Sequence, residues 1–295
     1  MNSFGAMIIA RTVSELQKHI ADALNKNMQI GFVPTMGALH KGHIALAERC
    51  VKENDWSVCS VFVNPTQFNN PEDLKHYPRT EEEDLKMLEK ARCQLVFIPS
   101  VEEMYPNRQL LDIHFGELEN ILEGKYRPGH FQGVATIVYK LFRLVNPHRA
   151  YFGEKDFQQL MIIMQLVRRM NLPVEIIPCP TVREADGLAL SSRNIRLTSE
   201  ERQAAPVIYQ VLITALNQYR QGKEIAAIRE EVKKRIEEKK VFALEYFEIA
   251  SIDTSAGTIS VLQKNQQAEN VRAFIAVHAK GVRLIDNMAL EEASH

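Results

Sequence analysis

One stretch limits the possible folds of this chain more than any other. An apolar run from Met28 to Val33 is halted by Pro34 and followed at once by Pro34-Thr35-Met36-Gly37-Ala38-Leu39-His40-Lys41-Gly42-His43, which leads into a helical pattern from about Gly42 to Asn54. A short apolar strand feeding a glycine-bearing turn and then a helix is the start of a βαβ unit. In open α/β sheets, ligands bind where strands end and helices begin. A helix N-terminus presents N–H groups and a partial positive charge, both suited to phosphate. Gly37 and Gly42 allow backbone and ligand to approach closely. His40 and His43, three apart, share one face of a helical turn and can point at one phosphate.

The pattern repeats along the first half of the chain. Trp56 to Val63 is a valine-rich run of the kind buried on both faces, ended by Asn64-Pro65. Thr80 and Glu83 have the spacing of a capping box for a helix to about Lys90. Gln94 to Ile98 reads as a strand, Phe131 to Leu144 as a helix, Arg149 to Phe152 as a strand, Phe157 to Met170 as a helix and Val174 to Ile177 as a strand. Alternation of this kind predicts a doubly wound α/β fold, a parallel sheet with helices on both faces.

Beyond about Val182 the texture changes. Thr198 and Glu201 form a second capping-box pattern, opening a helix to about Arg220, and Ile225 to Lys239 is a charged helix. Leu244 to Ile249, Arg272 to His278 and Val282 to Asp286 then read as strands with little helix between them. A smaller α+β C-terminal domain is expected, with domains at residues 1–182 and 183–295. The length of 295 residues accommodates both.

Lys and Arg total 36 against 37 Asp and Glu, a formal net charge of -1. A chain so balanced has no global field for nucleic acid or an anionic membrane, so neither is expected as a partner, and an anion must be held locally. Cys50, Cys59, Cys93 and Cys179 occur singly, which argues against a disulfide framework or a thiolate zinc site. The N-terminal residues carry no signal-peptide pattern and no apolar run approaches a membrane span, so a cytoplasmic protein is expected.

The glycine-histidine turn is neither a GxxxxGK(S/T) P-loop nor a GxGxxG dinucleotide loop. A zinc reading of His40 and His43 lacks a third ligand. Two imidazoles aimed at phosphorus suit charge stabilisation during displacement there, where one such donor contributes about 3–4 kcal/mol. Other polar clusters stand near strand ends. Gln67 and Gln159 offer neutral amides able to donate and accept, Gly153-Glu154-Lys155-Asp156 places a cation and a carboxylate at a helix start, and Ser191-Ser192-Arg193 joins two hydroxyls to a planar guanidinium. Taken alone, these also read as surface amides, a salt-bridged turn and a polar linker. On the residues alone, a nucleotidylyltransferase that stops at an adenylylated product stays open, as does a nucleotide-binding regulatory protein without turnover.

His40-Lys41-Gly42-His43 resembles the HxGH signature of the nucleotidyl-transferring superfamily. With Pro34 to Leu39 before it, the stretch resembles the pantothenate synthetase (pantoate–β-alanine ligase) family. Four more blocks agree in order: Asn64-Pro65-Thr66-Gln67-Phe68, Arg127 to Val134, Phe152 to Gln159, and Asp186 to Asn194. The resemblance runs from about Ile8 to Asn287 and takes in Leu284-Ile285-Asp286-Asn287.

The resemblance implies a Rossmann-like ATP- and pantoate-binding domain with a C-terminal lid, joining pantoate to β-alanine with release of AMP and pyrophosphate through a pantoyl adenylate. ATP, as co-substrate with Mg2+, would meet Met36, Gly37, Ala38, Leu39, His40, Lys41, Gly42 and His43. It would also meet Gly153, Glu154, Lys155 and Asp156, then Val182, Leu190, Ser191, Ser192 and Arg193. Catalytic roles are implied for His40, His43, Lys155 and Arg193. Gln67 and Gln159 are implied to bind pantoate, Gln67 to border β-alanine as well, and a homodimer is expected. Arg127, His130, His76, Tyr77 and Arg79 lie in matching blocks without an assigned role. His19, His114, His148, His278 and His295 have no supporting context.

Overall fold

A computed structural model describes residues 6–107, 109–264 and 268–290. Six strands form a parallel sheet in the spatial order β1-β4-β3-β2-β5-β6, where β1 is Ile8–Ala10, β2 Ile30–Thr35, β3 Trp56–Val61, β4 Leu95–Phe97, β5 Arg149–Gly153 and β6 Glu175–Cys179. The helices between them are α1 (Val13–Asn25), α2 (Lys41–Glu53), α3 (Pro71–Lys75), α4 (Glu81–Lys90), α5 (Val101–Met104), α6 (Leu122–Tyr126), α7 (His130–Val145) and α8 (Phe157–Arg169).

Adjacent residues of β2 show how both faces are covered. Val33 is fully buried with Leu46, Ala47 and Cys50 of α2 and Leu88 of α4. Phe32 meets the edge of Phe142 of α7 on the opposite face, with ring centroids 6.3 Å apart. The doubly wound prediction therefore holds. The order of strands reverses between β2 and β5, the crevice where such sheets bind ligands.

β2 does not stop at Pro34, as the sequence suggested, but runs to Thr35. Its register with β5 covers only Gly31 and Phe32, so Pro34 lies past the end of that ladder, where its missing N–H costs nothing. Pro178 similarly falls inside β6, an edge strand. A second correction concerns α4. Thr80 makes no side-chain cap; its hydroxyl donates instead to the Asp84 carboxylate at 3.1 Å.

The chain divides into two compact units. The first comprises Met1–Phe115, Arg127–Glu154 and Ile162–Pro180; the second comprises Gly116–Tyr126, Lys155–Met161 and Thr181–His295. Two short segments that precede residue 183 thus group with the second unit. That unit contains α9 (Ser199–Ala204), α10 (Val207–Arg220) and α11 (Ile225–Glu237) beside four antiparallel strands in the order β10-β9-β7-β8. These strands are β7 (Ala243–Asp253), β8 (Thr258–Val261), β9 (Val271–Ala279) and β10 (Val282–Ala289). The smaller α+β domain is present. The Thr198–Glu201 capping box forms, but the expected single helix to Arg220 is two, parted at Ala205-Pro206. Val211, Leu212, Ile228, Val232, Ile249 and Ile275 are fully buried in the core of this unit. No helix among the described residues is long and apolar enough to cross a membrane.

Candidate active site

The turn between β2 and α2 is held from outside itself. Gly37 and Ala38 take left-handed backbone angles, with φ 78° and 48°. A side chain at Gly37 would come within 2.9 Å of Asp84 Oδ2 and 3.0 Å of Val61, so glycine is required there. Asp84, only 2% exposed, accepts the Ala38 N–H at 2.9 Å and the Leu39 N–H at 2.7 Å. Burial pushes its carboxyl above the ordinary range, against the opposing pull of these hydrogen bonds and that from Thr80.

The next turn is capped by the histidines. His40 is the N-cap of α2: its Nδ1 accepts the Gly42 N–H at 3.1 Å, and its ring also receives the backbone of His43. His43 Nδ1 accepts the His40 N–H at 3.4 Å, completing a capping box with two imidazoles. The sequence pointed to backbone N–H groups as the phosphate donors here, yet those of Ala38, Leu39, His40, Gly42 and His43 are all engaged by side chains. An imidazole whose Nδ1 accepts carries its proton on Nε2. The turn therefore offers Nε2–H groups, from rings 4.0 Å apart, in place of amides.

Gln67 is buried in the same unit, not at the surface. It closes a short 3-10 turn, Pro65–Gln67, with Nε2 3.1 Å from Met36 Sδ and Oε1 accepting from Asn64 Nδ2 at 2.9 Å. The matching blocks around Asn64 and His130 meet here. His130 Nδ1 donates to the Gln67 carbonyl at 2.8 Å, and Asn64 Nδ2 reaches the Gly133 carbonyl at 3.2 Å. Tyr105 donates its hydroxyl to Asn64 Oδ1 at 2.7 Å. A methyl group at Gly133 would lie 2.2 Å from the Thr66 carbonyl oxygen, so only glycine lets α7 approach this turn. His130 is thus a supporting residue, and Tyr77 packs edge-on against Phe68 at 5.6 Å. His76 is exposed and its ring faces the Glu72 carbonyl at 2.8 Å.

In the second unit, Lys155 lies 3.5 Å from Asp156. Gln158 is buried, donating to the carbonyls of Leu118 and Ile121 and accepting from Glu123 N; Gln159 beside it is half-buried. A hairpin closes Val182 to Leu190: the Leu190 N–H donates to the Val182 carbonyl at 3.0 Å and Arg183 bridges Ala189. Ser191 Oγ accepts from Arg193 N at 3.3 Å and the Ser191 carbonyl accepts from Asn194 N at 3.0 Å, winding the half-buried Ser191–Arg193 segment into a turn. Gly153, the last residue of β5, and Glu154 end one segment of the first unit, and Lys155 opens a segment of the second. His295 lies outside the described residues.

Sequence reading missed Asp84 and Tyr105, and gave Asn64 a place in a matching block but no role. Asp84 sits in an acidic run, Glu81 to Asp84, that reads as the solvated first turn of a helix.

A family model described as pantoate-beta-alanine ligase matches residues 8–289. A pantothenate synthetase of Cytophaga hutchinsonii is 44% identical over 96% of this chain and 99% of its own length. One from Porphyromonas gingivalis is 46% identical over 97% and 100%. The crystal structure of pantothenate synthetase from Thermus thermophilus matches with a TM-score of 0.88 at 42% identity, covering 97% of this chain and 100% of that one. A pantoate-beta-alanine ligase from Francisella tularensis, complexed with beta-gamma ATP and beta-alanine, matches with a TM-score of 0.81 at 40% identity, covering 98% and 99%. With these motifs in place along nearly its whole length, the chain belongs to the pantoate–β-alanine ligase family.

Proposed function

We propose that this protein condenses (R)-pantoate with β-alanine at the cost of ATP, giving pantothenate, AMP and pyrophosphate through a pantoyl adenylate. The observation that carries the reading is the His40–His43 box, with Nε2–H donors presented at the carboxyl end of β2 where strand order reverses. The relative complexed with beta-gamma ATP and beta-alanine supports the substrate assignment.

A carboxylate is a poor acyl donor because its leaving group would be oxide. The pantoate carboxylate attacks the α-phosphorus of ATP in line, and the bond to pyrophosphate breaks. His40 and His43 balance the charge on phosphate oxygens, joined by Lys155, Ser191, Ser192 and Arg193 as the second domain (183–295) closes over the first (1–182). The amine of β-alanine then attacks the acyl carbon, AMP leaves, and the amine gives up a proton. Gln67 and Gln159 hold pantoate, and Gln67 borders β-alanine. Met36 to Leu39, Lys41, Gly42, Gly153, Glu154, Asp156, Val182 and Leu190 line the nucleotide.

Mg2+ enters with ATP as its substrate complex. Among the described residues no group of three or more His, Cys, Asp or Glu is arranged to hold a metal ion, so phosphate oxygens and water would supply the coordination. The enzyme works in the cytoplasm as a homodimer. AMP and pyrophosphate release measured with pantoate and β-alanine, separately and together, tests the reading. Sustained AMP release needing both acids supports it; pyrophosphate formed without free AMP points to a nucleotidylyltransferase, and neither product to a binding protein.

A further inference from the structure

β10 buries two adjacent polar residues, Asp286 at 4% and Asn287 at 3% exposure. Each holds a different segment of the second unit. Asn287 Nδ2 donates to the Lys155 carbonyl at 2.8 Å, while its Oδ1 accepts from Arg272 Nη1. The Arg272 guanidinium in turn lies 3.9 Å over the ring of Phe157, two residues beyond Lys155. The segment 155–157 is therefore held at its backbone and at its first helical ring.

Asp286 serves the hairpin that leads into Ser191. It takes a bidentate pair from Arg183, Nη1 to Oδ2 at 2.6 Å and Nη2 to Oδ1 at 3.0 Å. Arg183 also donates to the Gly187 carbonyl at 3.1 Å and stacks 4.5 Å over Tyr209. Gly187 has φ 91°, and a Cβ there would strike the Tyr209 ring at 2.1 Å, so the hairpin is seated tightly. The two anchors are themselves joined: the Asn287 N–H donates to Asp286 Oδ1 at 2.8 Å, and Arg183 Nη2 reaches the Asn287 carbonyl at 3.4 Å. A buried ion pair adds little net stability over an apolar pair of the same shape, so its contribution here is geometric.

Resting on the reading that Lys155 and Ser191–Arg193 meet the ATP phosphates, we propose that Asn287 and Asp286 are positioning residues for adenylation. Asn287 fixes Lys155 through its carbonyl, Asp286 fixes the hairpin before Ser191 through Arg183, and their mutual hydrogen bond makes the two segments one preformed frame. Neither residue is catalytic.

The test is a double-mutant cycle on single-turnover adenylation in the full-length enzyme, using Asn287→Ala with Lys155→Ala. Asn287→Ala alone is expected to raise the ATP concentration for half-maximal adenylation about tenfold, and to change the rate less than about twofold when Lys155 is already alanine. Attack of β-alanine on preformed pantoyl adenylate should be unaltered. Asn287→Asp keeps an acceptor for Arg272 but loses the donor to Lys155, and should show the same defect. Equal losses in both backgrounds, or normal adenylation by a folded Asn287→Asp enzyme, would overturn the proposal, the latter even if the alanine variant fails to fold. Normal adenylation by Lys155→Ala would instead overturn the site reading on which it rests.

Discussion

His40 and His43 cap each other: each ring accepts the backbone N–H of the other, with the ring centroids 4.0 Å apart. On the proposed mechanism cap and catalyst are the same side chain, and substitutions can separate the two roles. Asparagine is a strong N-cap but lacks the imidazole reach. His40→Asn should keep a melting temperature close to that of the parent while slowing adenylate formation by about 10²–10³-fold. His40→Ala should show the same slowing and lose a further ~0.5–2 kcal/mol of stability. Normal adenylation by His40→Asn would reduce the ring to a cap.

Asp84 carries the preceding turn, and its removal leaves the Ala38 and Leu39 N–H groups without their acceptor. Each buried orphan costs about 1–3 kcal/mol, so Asp84→Ala should lose roughly 2–4 kcal/mol in denaturant melts and slow adenylation as well. The sign of the pH dependence follows from burial, which raises this carboxyl in the folded protein. The folded state then holds the proton more tightly than the unfolded chain. As pH rises from the ordinary aspartate value of about 3.9 through the higher folded value, parent stability should fall relative to Asp84→Asn, and the difference should level off above that window. A difference that ran the other way would mean that the hydrogen bonds outweigh burial.

Gly133 tests whether Gln67 is placed by helix packing. Alanine there meets the Thr66 carbonyl oxygen and lies 2.7 Å from the Gln67 Cα. Backbone cannot swing aside as a side chain does, so Gly133→Ala should cost about 1–3 kcal/mol and raise the KM for pantoate more than that for ATP. Equal KM changes for both substrates would separate Gln67 from pantoate binding.

These residues also show what could be read from sequence and what could not. Each motif sits next to the end of its own strand or at the start of its own helix, so His40, Gln67 and Lys155 announce themselves locally. Asp84 acts on a turn more than forty positions away, and Gly133 on one more than sixty positions away. No periodicity carries that information. β1 and β8 are three and four residues long, too short for an alternation to stand out. Two local signals went unread: Thr12 and Glu15 form a full capping box for α1, and Pro206 stands at the break between α9 and α10.

The central claim is that the pantoate carboxylate becomes bonded to the α-phosphorus of ATP before the amide forms. Turnover with pantoate labelled with oxygen-18 in its carboxylate, followed by mass spectrometry of AMP and pyrophosphate, measures this directly. The account predicts one labelled oxygen in each AMP and none in pyrophosphate, because the amine expels AMP together with a former carboxylate oxygen. Unlabelled AMP, or label appearing in inorganic phosphate or pyrophosphate, would contradict it.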